Sequence, residues 1–75
     1  MDDLEHTLYH ELSEHIRDLE AKDGVPTQQI LDIYSGLSAQ YRTRIPIEQY
    51  SRVEELKYMK DNFDSIYEAY KQKYF

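Results

Sequence analysis

The amino-acid sequence predicts an all-α protein: a three-helix up-down-up bundle, or a helical hairpin with a long C-terminal helix. The 75 residues include only two glycines and two prolines, whereas a protein of many short strands needs turn residues about every 8 to 12 positions. Apolar side chains instead recur every three or four residues, the period of a helix with one buried face. We expect one domain with a thin core, without disulfides because the chain has no cysteine.

The first helix is expected over residues 2–22. Asp2 suits its amino-terminal turn, because a carboxylate there meets the positive end of the helix dipole. Gly24 can adopt the left-handed conformation that ends many helices. The apolar residues fall in one arc of about 120° around the helix axis. They are Leu4, Leu8, Leu12, Ile16 and Leu19.

The second helix is expected over residues 27–43. Thr27 is predicted to be its N-cap, since a threonine hydroxyl can accept an early backbone N–H. The helix must end before Pro46, which lacks an N–H and disfavours helical geometry in the preceding residue. The predicted buried face consists of Ile30, Ile33, Tyr34, Leu37 and Tyr41.

The third helix is expected over residues 52–73. Ser51 and Glu54 have the spacing of a capping box, and an earlier start at Pro46 is the alternative. Tyr50 would point away from the apolar face of a continuous helix, which favours a bend or break near that residue. The apolar face consists of Val53, Leu56, Met59, Phe63, Ile66, Tyr67, Tyr70 and Tyr74.

The carboxyl-terminal turns of the third helix predict self-association. At about 22 residues and 33 Å, this helix is longer than the second and is expected to extend beyond it. Aromatic side chains in the overhang would then lack cover within the chain, which favours a homodimer; simple exposure is the alternative, since tyrosine tolerates water better than leucine. These side chains are Tyr67, Tyr70, Tyr74 and Phe75.

The net charge is concentrated at one end of the chain. The first 24 residues carry eight carboxylates against two basic side chains, a balance of −6, and the remaining residues are neutral overall. Four of the carboxylates fall within about 80° of one another on the first helix, beside or opposite its leucines. We call these four residues the acidic ridge. They are Asp3, Glu11, Glu14 and Asp18.

The acidic ridge has two interpretations. It can be a solvated face that keeps a small protein soluble, since a helix tolerates a few tenths of a kcal/mol of repulsion per like-charged pair. Alternatively, it is a contact surface for a partner of opposite charge. Its carboxylates recur about every 5 Å, a sparse imitation of the phosphates in one DNA strand, which are about 3.4 Å apart.

The chain is also rich in tyrosine, with eight residues of this type. Protein interfaces favour tyrosine because it combines a large contact area with few rotamers and a polar tip. Most of these residues fall on the predicted buried faces of the helices. Tyr50 and Tyr58 do not, and we predict that they bind the partner together with the ridge.

The histidines of the first helix predict no metal site. His10 and His15 are five residues apart, about 140° around the axis, whereas a zinc-hydrolase helix needs two histidines four residues apart. His15 lies within the leucine arc, which predicts a packed histidine with one hydrogen bond. His6 and His10 have the correct spacing, with Glu14 one turn further on, but no fourth ligand is evident.

The sequence also argues against an enzyme. No spacing buries a pair of carboxylates or orders a catalytic triad, and no glycine-rich loop is present to bind phosphate. A bundle of this size is expected to have no room for a pocket of roughly 300 Å³ or more, the usual size of small-molecule sites. We therefore assign no catalytic, cofactor-binding or metal-binding residues.

Residues 28–45 resemble the helix-turn-helix motif of DNA-binding proteins. Leu31 lies five residues before Gly36, and Ser38 could cap a second helix. The resemblance implies a regulator that contacts bases and phosphates. Asp32 departs from the motif, which has a small residue at that position. The basic and amide side chains that would reach DNA are Gln40, Arg42 and Arg44.

Taken together, these patterns predict an acidic, cytoplasmic protein-protein interaction module, without a secretion signal or a membrane span. Its expected role is that of a regulator or inhibitor that docks on the basic, nucleic-acid-binding surface of another protein. Compact acidic chains of this length suit such inhibitors, including phage-encoded ones that block host machinery. The helix-turn-helix interpretation is the alternative, and the net negative charge opposes it because DNA affinity depends on neutralised phosphates.

Overall fold

The computed structural model describes residues 3–74, which contain three α-helices and one short 3₁₀ turn. No strand occurs within this range. The three predicted helices are therefore present, and the predicted start at Asp2 lies outside the described residues. The elements are α1 (Leu4–Asp23), α2 (Thr27–Arg44), the 3₁₀ turn (Ile47–Gln49) and α3 (Arg52–Tyr74).

The end of α1 has the predicted geometry. Gly24 has φ 70° and ψ 20°, the left-handed conformation, and its N–H donates a hydrogen bond of 3.0 Å to the carbonyl of Glu20. A side chain at this position would meet its own backbone, which is why glycine is favoured there. The prediction for Gly24 is confirmed.

The start of α2 differs from the prediction by one residue. Thr27 is the first helical residue, and Pro26 occupies the cap position with φ −60° and ψ 140°. The carbonyl of Pro26 accepts the N–H groups of Gln29 at 3.0 Å and Ile30 at 3.4 Å. The N-cap prediction for Thr27 was wrong because proline, with its fixed φ, already holds the extended geometry that a cap requires.

From Thr27 to Arg44, α2 is a single uninterrupted helix. Gly36 lies inside it, and Gly24 is the only glycine with a positive φ among the described residues. A helix-turn-helix needs a turn between its two helices, and residues 28–44 contain none. The geometry of that motif, which the sequence pattern implied, is therefore absent.

The chain breaks between α2 and α3, as predicted. Ile45 and Tyr50 are both extended, and the segment between them forms the short 3₁₀ turn rather than an early start of α3. At the start of α3, the hydroxyl of Ser51 accepts the N–H of Glu54 at 3.3 Å. The side chain of Glu54 lies beside Lys57 at 3.6 Å. The serine half of the predicted capping box is thus present.

The helices run up, down and up. Residues early in α1 contact residues early in α3 and later residues contact later ones, as in the pairs Glu11–Lys60 and Asp23–Tyr67. The middle helix runs in the opposite direction, since the later residue Arg42 meets the early α3 residue Glu55. The buried apolar core is built from all three helices. Its members include Leu8, Leu12, Leu19, Ile30, Tyr34, Leu37, Leu56, Phe63 and Tyr67.

Aromatic rings form the centre of this core. Phe63, 1% exposed, stacks on Tyr34 with ring centroids 4.4 Å apart and on Tyr67 at 5.4 Å. The rings of His15 and Phe63 are in a T-shaped arrangement, with centroids 4.9 Å apart. The His15 Nδ1 and the Tyr34 hydroxyl share a hydrogen bond of 2.7 Å. The prediction that His15 is a packed histidine with one hydrogen bond is confirmed.

Two predictions about the apolar faces were wrong. Leu4 and Ile66 belong to the predicted stripes but are each 39% exposed, because they lie at the margins of the helix packing. Tyr67 was expected to overhang without cover, yet it is only 4% exposed. Its hydroxyl reaches Asp23 of α1 at 2.7 Å, so α1 covers this part of α3. The Tyr74 side chain and Phe75 lie outside the described part of the chain.

Candidate functional site

The acidic ridge lies on the outer face of α1. Leu8, Leu12 and Leu19 of this helix are buried in the core, whereas the ridge residues lie on a different side of the helix. All four ridge residues are exposed, with Glu11 and Glu14 retaining 45% and 60% of their side-chain area. The sequence-based placement of Asp3, Glu11, Glu14 and Asp18 on one exposed face agrees with this geometry.

One ridge residue is paired with a basic side chain of the same chain. The Lys60 Nζ of α3 donates to the Glu11 Oε1 at 2.7 Å, and this hydrogen bond raises the pKa of Lys60. Glu14 has the His10 Nε2 3.0 Å from its Oε2. Within residues 3–74, Asp3, Glu14 and Asp18 have no lysine or arginine within ion-pair distance. Most of the negative charge of the ridge is therefore not neutralised there.

Tyr50 and Tyr58, the two predicted partner-binding tyrosines, both pack against Tyr41, with ring centroids 6.1 and 5.7 Å from its ring. Tyr50 is 36% exposed, and the Arg42 guanidinium lies over its ring at 5.3 Å. Tyr58 is half-buried and accepts a hydrogen bond of 2.9 Å from Arg44. The structure thus brings these two tyrosines together, but in the α2–α3 connection and on α3 rather than beside the ridge of α1.

The structure also reveals a residue that the sequence analysis missed. Glu55 of α3 is buried, with a residue exposure of 1%. Its carboxylate accepts hydrogen bonds from Arg42 Nε at 2.7 Å, from the Tyr50 hydroxyl at 2.5 Å and from the Ser38 hydroxyl. Arg52, one helical turn earlier, donates from 3.3 Å. This is the only buried charged side chain within residues 3–74.

The hydrogen bonds keep Glu55 ionised. Burial alone would raise the pKa of its carboxyl, because a low-dielectric environment disfavours the charged form. The donors Arg42, Ser38 and Tyr50 outweigh burial and lower the pKa of Glu55 to about 2. The same contact raises the pKa of the Tyr50 hydroxyl, which donates to the carboxylate. Glu55 is therefore an anion that joins α2, the 3₁₀ connection and α3.

Beside Glu55, a groove of about 400 Å³ opens between α1 and α2 with α3 as its floor. We call it the interhelical groove. The expectation that the bundle leaves no room for a pocket was wrong, because serines rather than larger side chains occupy several of the facing positions of α1 and α2. The lining residues are Tyr9, Leu12, Ser13, Ile16, Leu31, Tyr34, Ser35, Ser38, Arg52, Glu55, Leu56 and Met59.

The charged side chains of the groove, Arg52 and Glu55, lie at one end, and Ser13 and Ser35 line it further along. Arg52 donates to the hydroxyl of Tyr9, and its guanidinium lies over the Tyr9 ring at 5.2 Å. Ser38 and Glu55 lie at the same end, joined by their hydrogen bond. Towards the Gly24 end, the lining becomes apolar. The sequence signal for Glu55 is its spacing of three residues from Arg52, which places the two side chains on one side of α3.

Metal-binding residues do not gather in the described chain. Within residues 3–74, no group of three histidine, cysteine, aspartate or glutamate side chains is arranged to hold a metal ion. His10 lies close to Glu14, as the helical spacing predicts, at 3.0 Å. Over the same residues, none of the helices combines the length and apolarity that crossing a membrane requires.

Comparison with known proteins adds no further constraint. No protein-family model, no curated protein and no solved structure matches the chain. The features that bear on function are the acidic ridge, the interhelical groove and the Glu55 cluster, which consists of Ser38, Arg42, Tyr50, Arg52 and Glu55.

Proposed function

We propose that this chain is a small acidic protein-protein interaction module, a regulator or inhibitor that docks its acidic ridge on a basic, nucleic-acid-binding surface of a partner protein. The observation that supports it is the exposure of Asp3, Glu14 and Asp18 on one helix face without a lysine or arginine partner within residues 3–74. Such a surface attracts a partner of opposite sign and competes with the phosphates that the partner normally binds.

A charge-reversal pair tests the proposal. Glu14→Lys and Asp18→Lys together change the net charge by four units without touching the core, because both side chains are exposed. The matched control carries Glu48→Lys and Asp61→Lys, which make the same change at exposed positions outside α1. The three proteins are immobilised, and bound proteins from a cell lysate are identified by mass spectrometry.

The proposal expects basic, nucleic-acid-binding proteins on the wild-type chain and on the control, but not on the ridge variant. Added duplex DNA should release them, since both ligands occupy the same surface. Salt should weaken the binding, because exposed charges are screened over about 8 Å at physiological ionic strength. Equal capture by all three chains would instead identify the ridge as a solvated face.

A measurement of direct binding to DNA distinguishes this proposal from the alternative, a DNA-binding regulator. Titration of the chain with labelled duplex DNA should show no binding under the proposal. A steep fall of affinity with salt would indicate phosphate contacts and would favour a DNA-binding role for Gln40, Arg42 and Arg44. Arg42 is already engaged with Glu55 at 2.7 Å, which reduces its availability for phosphates.

The proposal includes a homodimer in the cytoplasm, in which two ridges lie side by side. Two rows of carboxylates would imitate the phosphate spacing of duplex DNA more closely than one row does. Sedimentation equilibrium of the wild-type chain measures the mass directly. If the chain has the mass of a monomer at the concentrations used for capture, the dimer is ruled out and a single ridge is the binding surface.

A further inference from the structure

The interhelical groove is amphipathic along its length. Tyr9, Ser38, Arg52 and Glu55 form the end that carries the charged residues. Ser13 and Ser35 follow along the lining, and Ile16, Leu31 and Met59 lie at the other end. From Tyr9 to Ile16 the α1 wall is about 10 Å long. Leu31 is 40% exposed although it faces the groove, so part of the apolar wall remains in contact with solvent. Burial of this wall by a ligand would be favourable.

The polar end offers a cation despite the acidic character of the chain. Glu55 and Arg52 are the charged residues of the groove lining. Arg42, which is outside the lining, already pairs with Glu55 through a 2.7 Å contact, whereas Arg52 is further away at 3.3 Å. Two guanidinium groups thus face one carboxylate. The surplus positive charge is at Arg52, whose side chain is 43% exposed.

We propose that the interhelical groove binds a medium-chain fatty acid as its carboxylate, with the head group at Arg52 and the alkyl chain along Leu31, Ile16 and Met59. Charge complementarity selects the head group, because arginine presents several N–H donors in the planar arrangement that a carboxylate accepts. The hydroxyls of Tyr9 and Ser38 lie at the same end and provide further polar surroundings. The apolar end and its length select a short unbranched alkyl chain over a bulky ligand.

Decanoate is the probe, used below its critical micelle concentration. The readout is a two-dimensional NMR spectrum of a chain carrying labelled methyl groups on leucine, isoleucine and methionine. The proposal expects saturable shifts of the Leu31, Ile16 and Met59 methyls. Ile47, which is 85% exposed in the 3₁₀ turn and outside the groove, should not shift. Decan-1-ol, which has the same chain length without the charge, should bind about tenfold more weakly.

Two matched pairs of variants locate the ligand. Arg52→Gln should weaken decanoate binding about tenfold, whereas Arg44→Gln, which removes an arginine bound to Tyr58 outside the groove, should leave it unchanged. Leu31→Glu should abolish binding by placing a carboxylate in the apolar wall. Ile66→Glu is its control, because Ile66 is equally exposed at 39% but lies outside the groove.

Several outcomes would overturn the proposal. An absence of saturable shifts would show that decanoate does not bind in the groove. Equal shifts at Ile47 would show that decanoate contacts the protein surface non-specifically, as a surfactant does. Unchanged affinity in Arg52→Gln, or equal affinity for decan-1-ol, would remove the assigned head-group contact. Circular dichroism of each variant verifies that it is folded. If Arg52→Gln is unfolded, two other comparisons test the proposal. Leu31→Glu against Ile66→Glu tests the position of the alkyl chain, and decanoate against decan-1-ol tests the role of the carboxylate.

Discussion

Asp23, the last residue of α1, accepts a hydrogen bond of 2.7 Å from the hydroxyl of Tyr67, which is 44 residues later in the sequence. Burial and this hydrogen bond together raise the pKa of Tyr67 to about 12. The contact fixes the end of α1 against the carboxyl-terminal part of α3. It also explains why Tyr67 is covered within one chain rather than left for a second copy.

Removal of this hydroxyl should lower the stability of the bundle. Tyr67→Phe keeps the stacking on Phe63, at 5.4 Å between centroids, but leaves the Asp23 carboxylate without its donor. We expect a loss of about 1 to 2 kcal/mol in the free energy of unfolding, measured by urea denaturation. In a double-mutant cycle with Asp23→Ala, the two losses should not add. Additive losses would show that the two residues do not interact.

Glu55 should make the stability depend on acid pH. Its pKa is about 2 in the folded chain and 4.5 without interactions, so the ionised form is favoured by folding. This contribution is fully present above about pH 4.5 and is lost as the pH falls towards about 2. Glu55→Gln should cost about 1 to 3 kcal/mol at neutral pH, and wild type and variant should converge as the pH decreases.

Denaturation curves at several pH values between 7 and 2 measure this convergence. Glu54→Gln is the control, because Glu54 is an exposed neighbour whose ion pair with Lys57 is long, at 3.6 Å. Its effect on stability should stay below about 0.5 kcal/mol at every pH. A constant difference between wild type and Glu55→Gln across the range would show that the carboxylate is not held ionised by its partners.

Lys60 is expected to limit the charge of the acidic ridge without stabilising the fold. Its ion pair with Glu11 is exposed on both sides, at 53% and 45%, and such pairs contribute about 0 to 1 kcal/mol. Lys60→Gln should therefore leave the unfolding midpoint nearly unchanged. In the capture experiment proposed above, it should strengthen the binding of a basic partner, and Glu11→Gln should weaken it. The same change in both variants would contradict a role for ridge charge.

Local signals in the sequence predicted the helices well, whereas the Glu55 cluster depends on tertiary structure. Gly24, Pro46 and Ser51 act on the backbone within one turn, so their consequences could be deduced from the residues alone. Glu55 is buried because donors from α2 and the connection converge on it, and periodicity marks a glutamate at the edge of an apolar stripe as exposed. The only indication in the sequence is that Glu55 lies three residues after Arg52, a spacing that allows an ion pair within one helix.

The interhelical groove was missed for a related reason. Hydrophobic periodicity shows which residues face inward but not how far apart two neighbouring helices lie. Here, serines at positions 13, 35 and 38 line the gap between α1 and α2, and such small side chains cannot fill it. Leu31 then remains 40% exposed beside them. The distance between two helices is determined by the sizes of side chains on both, which a single-helix pattern does not contain.

The two glycines should respond in opposite ways to the same substitution. Gly24 has φ 70°, where an alanine is strained by its own backbone, so Gly24→Ala should lower the free energy of unfolding by about 1 kcal/mol. Gly36 lies inside α2, and an added Cβ there would meet no atom within 4 Å. Gly36→Ala should therefore raise the free energy of unfolding by about 0.4 to 1 kcal/mol, because alanine loses less backbone entropy on folding.

Urea denaturation of the two variants provides the measurement, and each serves as the control for the other, since both add the same methyl group. The double variant should lie near wild type, because the two sites are far apart in sequence and share no contact that would couple them. Destabilisation by Gly36→Ala would mean that α2 bends or breaks near residue 36 in solution. A break at that position would agree with the turn that a helix-turn-helix requires, and it would favour DNA binding by the second half of α2.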